Sequence, residues 1–204
     1  MEFLFILLVA AAFVIYLLKR RRTNAISIAH LPERFVVFDF ETTGLDSSKD
    51  EIIEIGAIRV NRDSTNHETF QALVKPNKKV PRKIVELTGI TQEMLDCDGD
   101  SICEALQGFA AFVGDLRIVS FNAEFDMAFL HAATAKCEME HFTNPVSCAL
   151  LMARRAWPGR KSYRLADIAR DGHLDSSNTH RALGDCQRAL TVYGAAASHL
   201  KSVS

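Results

Sequence analysis

Two acidic residues one position apart, Asp39 and Glu41, close a run of β-forming residues in the stretch FVVFDFETTGLD. Side chains alternate faces along a strand, so both carboxylates project from one side, roughly 6.5–7 Å apart along the backbone. Paired anions at the end of a core strand repel each other and lose solvation. They ask for positive charge between them. With 13 Asp and 12 Glu in 204 residues, chance alone supplies about one D-x-E pair, and a solvated sheet edge is the plain alternative. Position raises the interest of this pair, because a strand ends on one side and a T-T-G turn begins on the other.

Two further motifs carry isolated acids. In SFNAEFD, Ser120 to Asp126, the ordinary reading is Asn122 as a helix N-cap with Glu124 and Asp126 as first-turn acids complementing the helix dipole. In THRALGD, Thr179 to Asp185, the ordinary reading is a helix start with Asp185 on a solvated face and His180 in the preceding loop. Each reading is adequate for its motif alone.

The elements that must position these residues follow from periodicity and turn signals. Phe35–Phe40, Ile52–Val60 and Thr69–Val74 read as strands, separated by LDSSKDE and NRDSTNH. Links this short predict an antiparallel meander. After Pro76 the period changes. Ile102–Val113 has helical spacing, Arg117–Phe121 is a short strand, and Glu124–Ala135 is helical again. Further helices are expected at Val146–Ala156, Leu165–Arg170 and Arg181–Leu200, the last with a stripe of Leu183, Cys186, Leu190, Tyr193 and Ala197. Strands first, then helices interleaved with strands, predict an α/β fold with a mixed β-sheet flanked by helices.

The N-terminus is of another kind. Phe3 to Leu18 is sixteen apolar residues in a row, followed at once by Lys19, Arg20, Arg21 and Arg22. Sixteen helical residues span about 24 Å against a bilayer core of roughly 30 Å, a gap that local thinning, Tyr16 at the interface and snorkelling basic side chains could close. A cleaved signal would place the basic cluster before the apolar run, whereas Glu2 stands there. We therefore expect one N-terminal transmembrane helix with its basic flank (1–22), a linker (23–31) and one soluble domain (32–204). The positive-inside rule puts that domain on the cytoplasmic face of the inner membrane. Without residues 1–22 the chain holds 20 Lys+Arg and 24 Asp+Glu, so it does not bind phosphate backbones indiscriminately. The five scattered cysteines include no C-x-x-C pair, which argues against a disulfide framework and fits a reducing compartment.

Taken together the motifs form one ordered pattern. F-D-F-E-T-T-G-L, I-I-E-I-G-A-I, L-T-G-I-T (Leu87–Thr91), N-A-x-F-D, W-P-G-R with Leu165, and H-R-A-L-G-D resemble the DEDD exonuclease superfamily. The five-residue step from His180 to Asp185 marks its histidine (DEDDh, DnaQ-like) branch, which includes the proofreading epsilon subunit of bacterial DNA polymerase III. The resemblance runs from about Phe35 to Leu200 and implies a ribonuclease H-like fold. It also implies that Asp39, Glu41, Asp126 and Asp185 are metal-binding carboxylates and His180 the general base. Two Mg²⁺ or Mn²⁺ ions, about 3.5–4 Å apart, would then clamp the attacking and leaving oxygens of an in-line displacement. The implied reaction is 3′→5′ hydrolysis of a terminal phosphodiester to a nucleoside 5′-monophosphate.

By the same resemblance the turn Thr42-Thr43-Gly44-Leu45 reads the substrate end. Its backbone N–H groups face the terminal sugar, and Leu45 either wedges against the terminal bases or fills the core under the turn. Phe125 is expected to pack rather than stack. The basic run Arg154–Arg164 either guides the strand's phosphates or is a solvated helix end. Phe121 stands where many relatives carry histidine, and Thr88 where some proofreading subunits do, which bears on substrate preference. The leading expectation is a membrane-tethered exonuclease acting on single-stranded DNA. An exoribonuclease of the ribonuclease T or oligoribonuclease type and a non-catalytic nucleic-acid-binding module are the alternatives. A polymerase partner is not expected, because the chain stops soon after its last helix.

Overall fold

The computed structural model describes residues 31–172 and 180–203. Phe35, Val36, Val37, Phe38 and Phe40 are all buried, because the strand that holds them, β1 (Arg34–Thr42), is central in the sheet and covered on both faces. It pairs antiparallel with β2 (Ile52–Asn61), which pairs antiparallel with β3 (Glu68–Leu73). On its other side β1 runs parallel to β4 (Ile118–Ser120), and β4 runs parallel to β5 (Val146–Cys148). The strand order is β3-β2-β1-β4-β5, the expected mixed sheet with its meander.

Two stretches differ from expectation. Between Pro76 and Ile102 lie two short helices, α1 (Arg82–Thr88) and α2 (Gln92–Asp98). Each is only seven residues, too short for a periodic stripe to register; α2 is instead announced by Thr91, whose side chain accepts from the Met94 N–H. The expected helix from Val146 begins as a strand, β5, because Ile118–Ser120 offers Val146–Cys148 a parallel edge; helix α5 covers only Ala149–Ala156. The other helices are α3 (Ile102–Val113), α4 (Ala123–Lys136), α6 (Leu165–Asp171) and α7 (Ala182–Ser202). Ser101 and Glu104 form a capping box at the start of α3.

Strand alternation sorts the core into two layers. Val36, Phe38 and Phe40 face α3 and α4, meeting Leu106, Phe109, Phe129 and Leu130. Phe35 and Val37 face α5 and α7, meeting Ala149, Cys186, Ala189 and Tyr193. Asp39 and Glu41 continue the second parity, toward the start of α7.

One expectation about cysteine is corrected. Cys103, near the start of α3, and Cys137, at the end of α4, form a disulfide with Cα atoms 5.5 Å apart. Their separation of 34 residues hides the pairing in the sequence; the antiparallel packing of α3 and α4 creates it. Cys97, Cys148 and Cys186 are free. The expected membrane helix, its basic flank and the linker up to residue 30 lie outside the described residues. Among the described residues no helix is long and apolar enough to cross a membrane.

Candidate active site

The parallel strands β1 and β4 end at the same edge of the sheet, and the chain's acidic motifs follow them. Asp39 and Glu41 close β1, Asp126 lies in the first turn of α4 just beyond β4, and Asp185 lies in the first turn of α7. Glu41, Asp126 and Asp185 are buried, and Asp39 is half-buried. Ligand atoms of Glu41, His180 and Asp185 lie within 4.8 Å of one another. His180 Nδ1 stands 3.4 Å from Asp185 Oδ2. Asp126 is tied to β1 by the Phe40 N–H, which donates to its Oδ1 at 3.3 Å, and to β4 by the Ser120 hydroxyl.

The electrostatics report the same convergence. Burial, then the charges of Asp126, Asp185, Glu41 and Glu54, hold the Asp39 carboxyl well above the usual range. Burial and Asp185 push Glu41 up to about 8. Burial pushes Asp126 up to about 7 against the hydrogen bonds from Ser120 and Phe40. The hydrogen bond to Asp185 raises His180. Three carboxyls that resist ionisation around one shared site describe a nest short of positive charge. Hard oxygen donors in a partly open cluster fit a divalent cation better than a softer metal.

Sequence reasoning missed three residues that shape this nest. Glu54 pairs directly across from Glu41 in the β1–β2 register and is fully buried. It accepts from Arg181 Nε at 3.1 Å to each oxygen, from Arg181 Nη2 at 2.6 Å, from the Ala182 N–H at 2.9 Å and from Gln71 Nε2 at 2.7 Å. Arg188, also buried, donates to Asp185 Oδ1 from Nε at 3.0 Å and Nη2 at 2.8 Å. The signal for Glu54 was present: an acid inside the apolar run IIEIGAI needs a cationic partner. Gly56, two residues on and on the same face, completes the seat. A Cβ there would lie 2.6 Å from the Ala182 carbonyl carbon, so only glycine lets α7 start this close to β2.

The remaining expected positions divide. Thr42 and Thr43 are buried, and their hydroxyls are used within the turn, on the Gly44 carbonyl and on Asp50. The Thr43 N–H donates to the Glu51 carbonyl at 2.9 Å, which corrects the expectation that this amide faces substrate. At Gly44 an added Cβ would lie 2.3 Å from the Asp50 carboxylate, which would have to swing aside and loosen its hold on the turn. Leu45 is 86% exposed, so the core reading of that side chain is overturned. Phe125 packs on Phe129 and the α3–α4 layer, as expected. In the basic run, Trp157 meets His199 near the far end of α7, about 20 Å along the helix from Asp185. Trp157, within that run, therefore lies well away from the carboxylates. Arg160 pairs with Asp171 and Arg154 lies over the Tyr163 ring. Thr88 is a buried brace of the α1–α2 turn, accepting from the Ile90 N–H, and Phe121 packs beneath α5.

Residues 36–193 match the RNase_T family, described as an exonuclease. The chain belongs to this exonuclease family. It is 38% identical to the DNA polymerase III subunit epsilon of Aquifex aeolicus over 78% of each chain. It is 40% identical to the PolC-type DNA polymerase III of Thermotoga maritima over 78% of its own length, but spans 11% of that protein. Its fold is similar to that of E. coli exonuclease I in complex with a dT13 oligonucleotide, with a TM-score of 0.73 at 19% identity, covering 84% of this chain and 42% of that one. The exonuclease is thus a divalent-metal-dependent hydrolase of the DnaQ-like 3′→5′ superfamily, and its mixed sheet is the fold that superfamily predicts.

Proposed function

We propose that this exonuclease removes nucleotides from the 3′ end of single-stranded DNA, releasing nucleoside 5′-monophosphates, while residues 1–22 tether it to a membrane. The observation that carries the chemistry is the meeting of Glu41, His180 and Asp185 beside two further carboxylates. In this reading Asp39, Glu41, Asp126 and Asp185 hold two Mg²⁺ or Mn²⁺ ions. Such ions neutralise the scissile phosphate and stabilise the attacking and leaving oxygens when bound. His180, half-exposed at the edge of the nest, takes the proton of the attacking water. Asp185 orients it through Nδ1. Leu45, exposed on a turn braced by Asp50, rests against the terminal base, and the rigid turn fixes where the strand stops. DNA as substrate draws support from the similar proteins, a DNA polymerase III subunit epsilon and an exonuclease I in complex with a dT13 oligonucleotide.

The test uses the full chain in detergent with 5′-labelled single-stranded DNA, duplex DNA with a mismatched 3′ end, and RNA of equal length. Shortening from the 3′ end that is fastest on single-stranded DNA, stops in EDTA and is lost in Asp39→Ala is the expected result. Faster loss of RNA would move the substrate to the exoribonuclease class. An unchanged rate in His180→Ala would remove the assigned proton acceptor.

A further inference from the structure

His180 is the one group of the nest that no regular element holds, since α7 begins only at Ala182. Its backbone is nevertheless gripped on both sides. The His180 N–H donates to the Leu87 carbonyl at 3.3 Å, at the end of α1. The next residue, Arg181, forks onto the fully buried Glu54, and the residue after that gives its N–H to the same carboxylate at 2.9 Å. Gly56 then admits Ala182 to the surface of β2 at a distance no side chain would allow.

We infer that Glu54 and Arg181 are the positioning pair of His180: a buried ion pair in β2 and the pre-helix loop that sets where the proton acceptor stands against the metal nest. This rests on the reading of His180 as the acceptor of the water proton. Three details support a placing role over simple stability. The four N–H donors on Glu54, one of them shared between both oxygens, use up its lone pairs, so a carboxylate directly opposite Glu41 is kept out of the ligand set. A guanidinium fork on a carboxylate fixes orientation as well as distance, which a point charge does not. The fork is anchored in the same strand pair that carries Asp39 and Glu41, so base and ligands share one rigid frame.

The experiment compares Arg181→Ala and Arg181→Lys in the full chain, each also combined with His180→Ala. It measures kcat, KM and the affinity for Mn²⁺ alone. Loss of a partner that orients a reacting group costs about 10- to 100-fold. We expect Arg181→Ala to lower kcat by that factor, with KM and Mn²⁺ affinity within about twofold, and Arg181→Lys, which keeps the charge but not the fork, to recover only part of it. In the His180→Ala background neither change should cost more, because the group it places is gone. An undiminished kcat, a loss confined to KM or Mn²⁺ affinity, or a full additional loss in that background overturns the pair's role. Should Arg181→Ala not fold, Arg181→Lys alone is held to the same criteria. A chain that is inactive as wild type, or indifferent to His180→Ala, counts against the parent reading instead.

Discussion

Carboxylates that gather without a cation store repulsion, and this sets how the protein responds to pH. Glu41 is pushed up to about 8 and Asp126 to about 7, so both keep protons in the folded metal-free chain at pH values where the unfolded chain has lost them. The folded state then binds more protons than the unfolded one, and stability falls as pH rises from about 4.5 toward 8. Melting the EDTA-treated protein from pH 5 to pH 8 should show a declining Tm, and saturating Mn²⁺ should abolish the decline. A flat profile without metal would contradict the arrangement of charges. For the same reason Asp39→Asn should raise the Tm of the metal-free protein at pH 8 while removing activity, the usual exchange of stability for function at a charged site. At this scale the sequence disclosed the acids and the histidine through their spacing. It did not disclose Glu54 and Arg181 as partners, since their pairing depends on strand register and on a helix start 127 residues away; Arg188, three residues beyond Asp185 on one helix, was within reach of spacing alone.

Elements hold these residues through two different devices. Gly56 lets α7 sit on β2, and a Cβ there would lie 2.6–2.7 Å from the Ala182 and Leu183 backbones. Backbone cannot rotate aside as a side chain does, so Gly56→Ala should cost about 1–3 kcal/mol and lower the Tm by several degrees. Its larger effect should be on kcat, because the displaced helix start carries His180 and Asp185; a melt and a turnover assay on one preparation separate the two. The disulfide acts elsewhere. It joins the start of α3 to the end of α4, whereas Asp126 sits in the first turn of α4, fourteen residues long. Opening a 34-residue loop costs about 3–4 kcal/mol by chain entropy, so Cys103→Ser with Cys137→Ser should lower the Tm by roughly ten degrees. Turnover at 25 °C should stay within about twofold of wild type, because the helix end that is released is the one away from the nest. Strands and long helices were legible from periodicity. The short helices α1 and α2, the three-residue β5 and the disulfide were not, because each is decided by what packs beside it.

For the whole molecule, two physical cues bear on the compartment and they point opposite ways. Lys19 to Arg22 after sixteen apolar residues favour retention of the following domain on the cytoplasmic side. The Cys103–Cys137 disulfide is the kind of bond that persists on the oxidising side and is kept reduced in the cytoplasm. The charge cue governs insertion itself, while the disulfide is a consequence of where the folded domain ends up. Our proposal of a cytoplasmic face therefore carries a definite redox consequence. Cys103 and Cys137 should be free thiols in living cells and pair only after lysis in air. Intact cells quenched in acid and alkylated at once should yield both cysteines modified, in protein that sediments with membranes after carbonate washing. Recovery of the pair as an unreactive disulfide would place the domain on the oxidising side and overturn the orientation, while leaving the nest and its chemistry untouched. Recovery in the soluble fraction would remove the tether altogether.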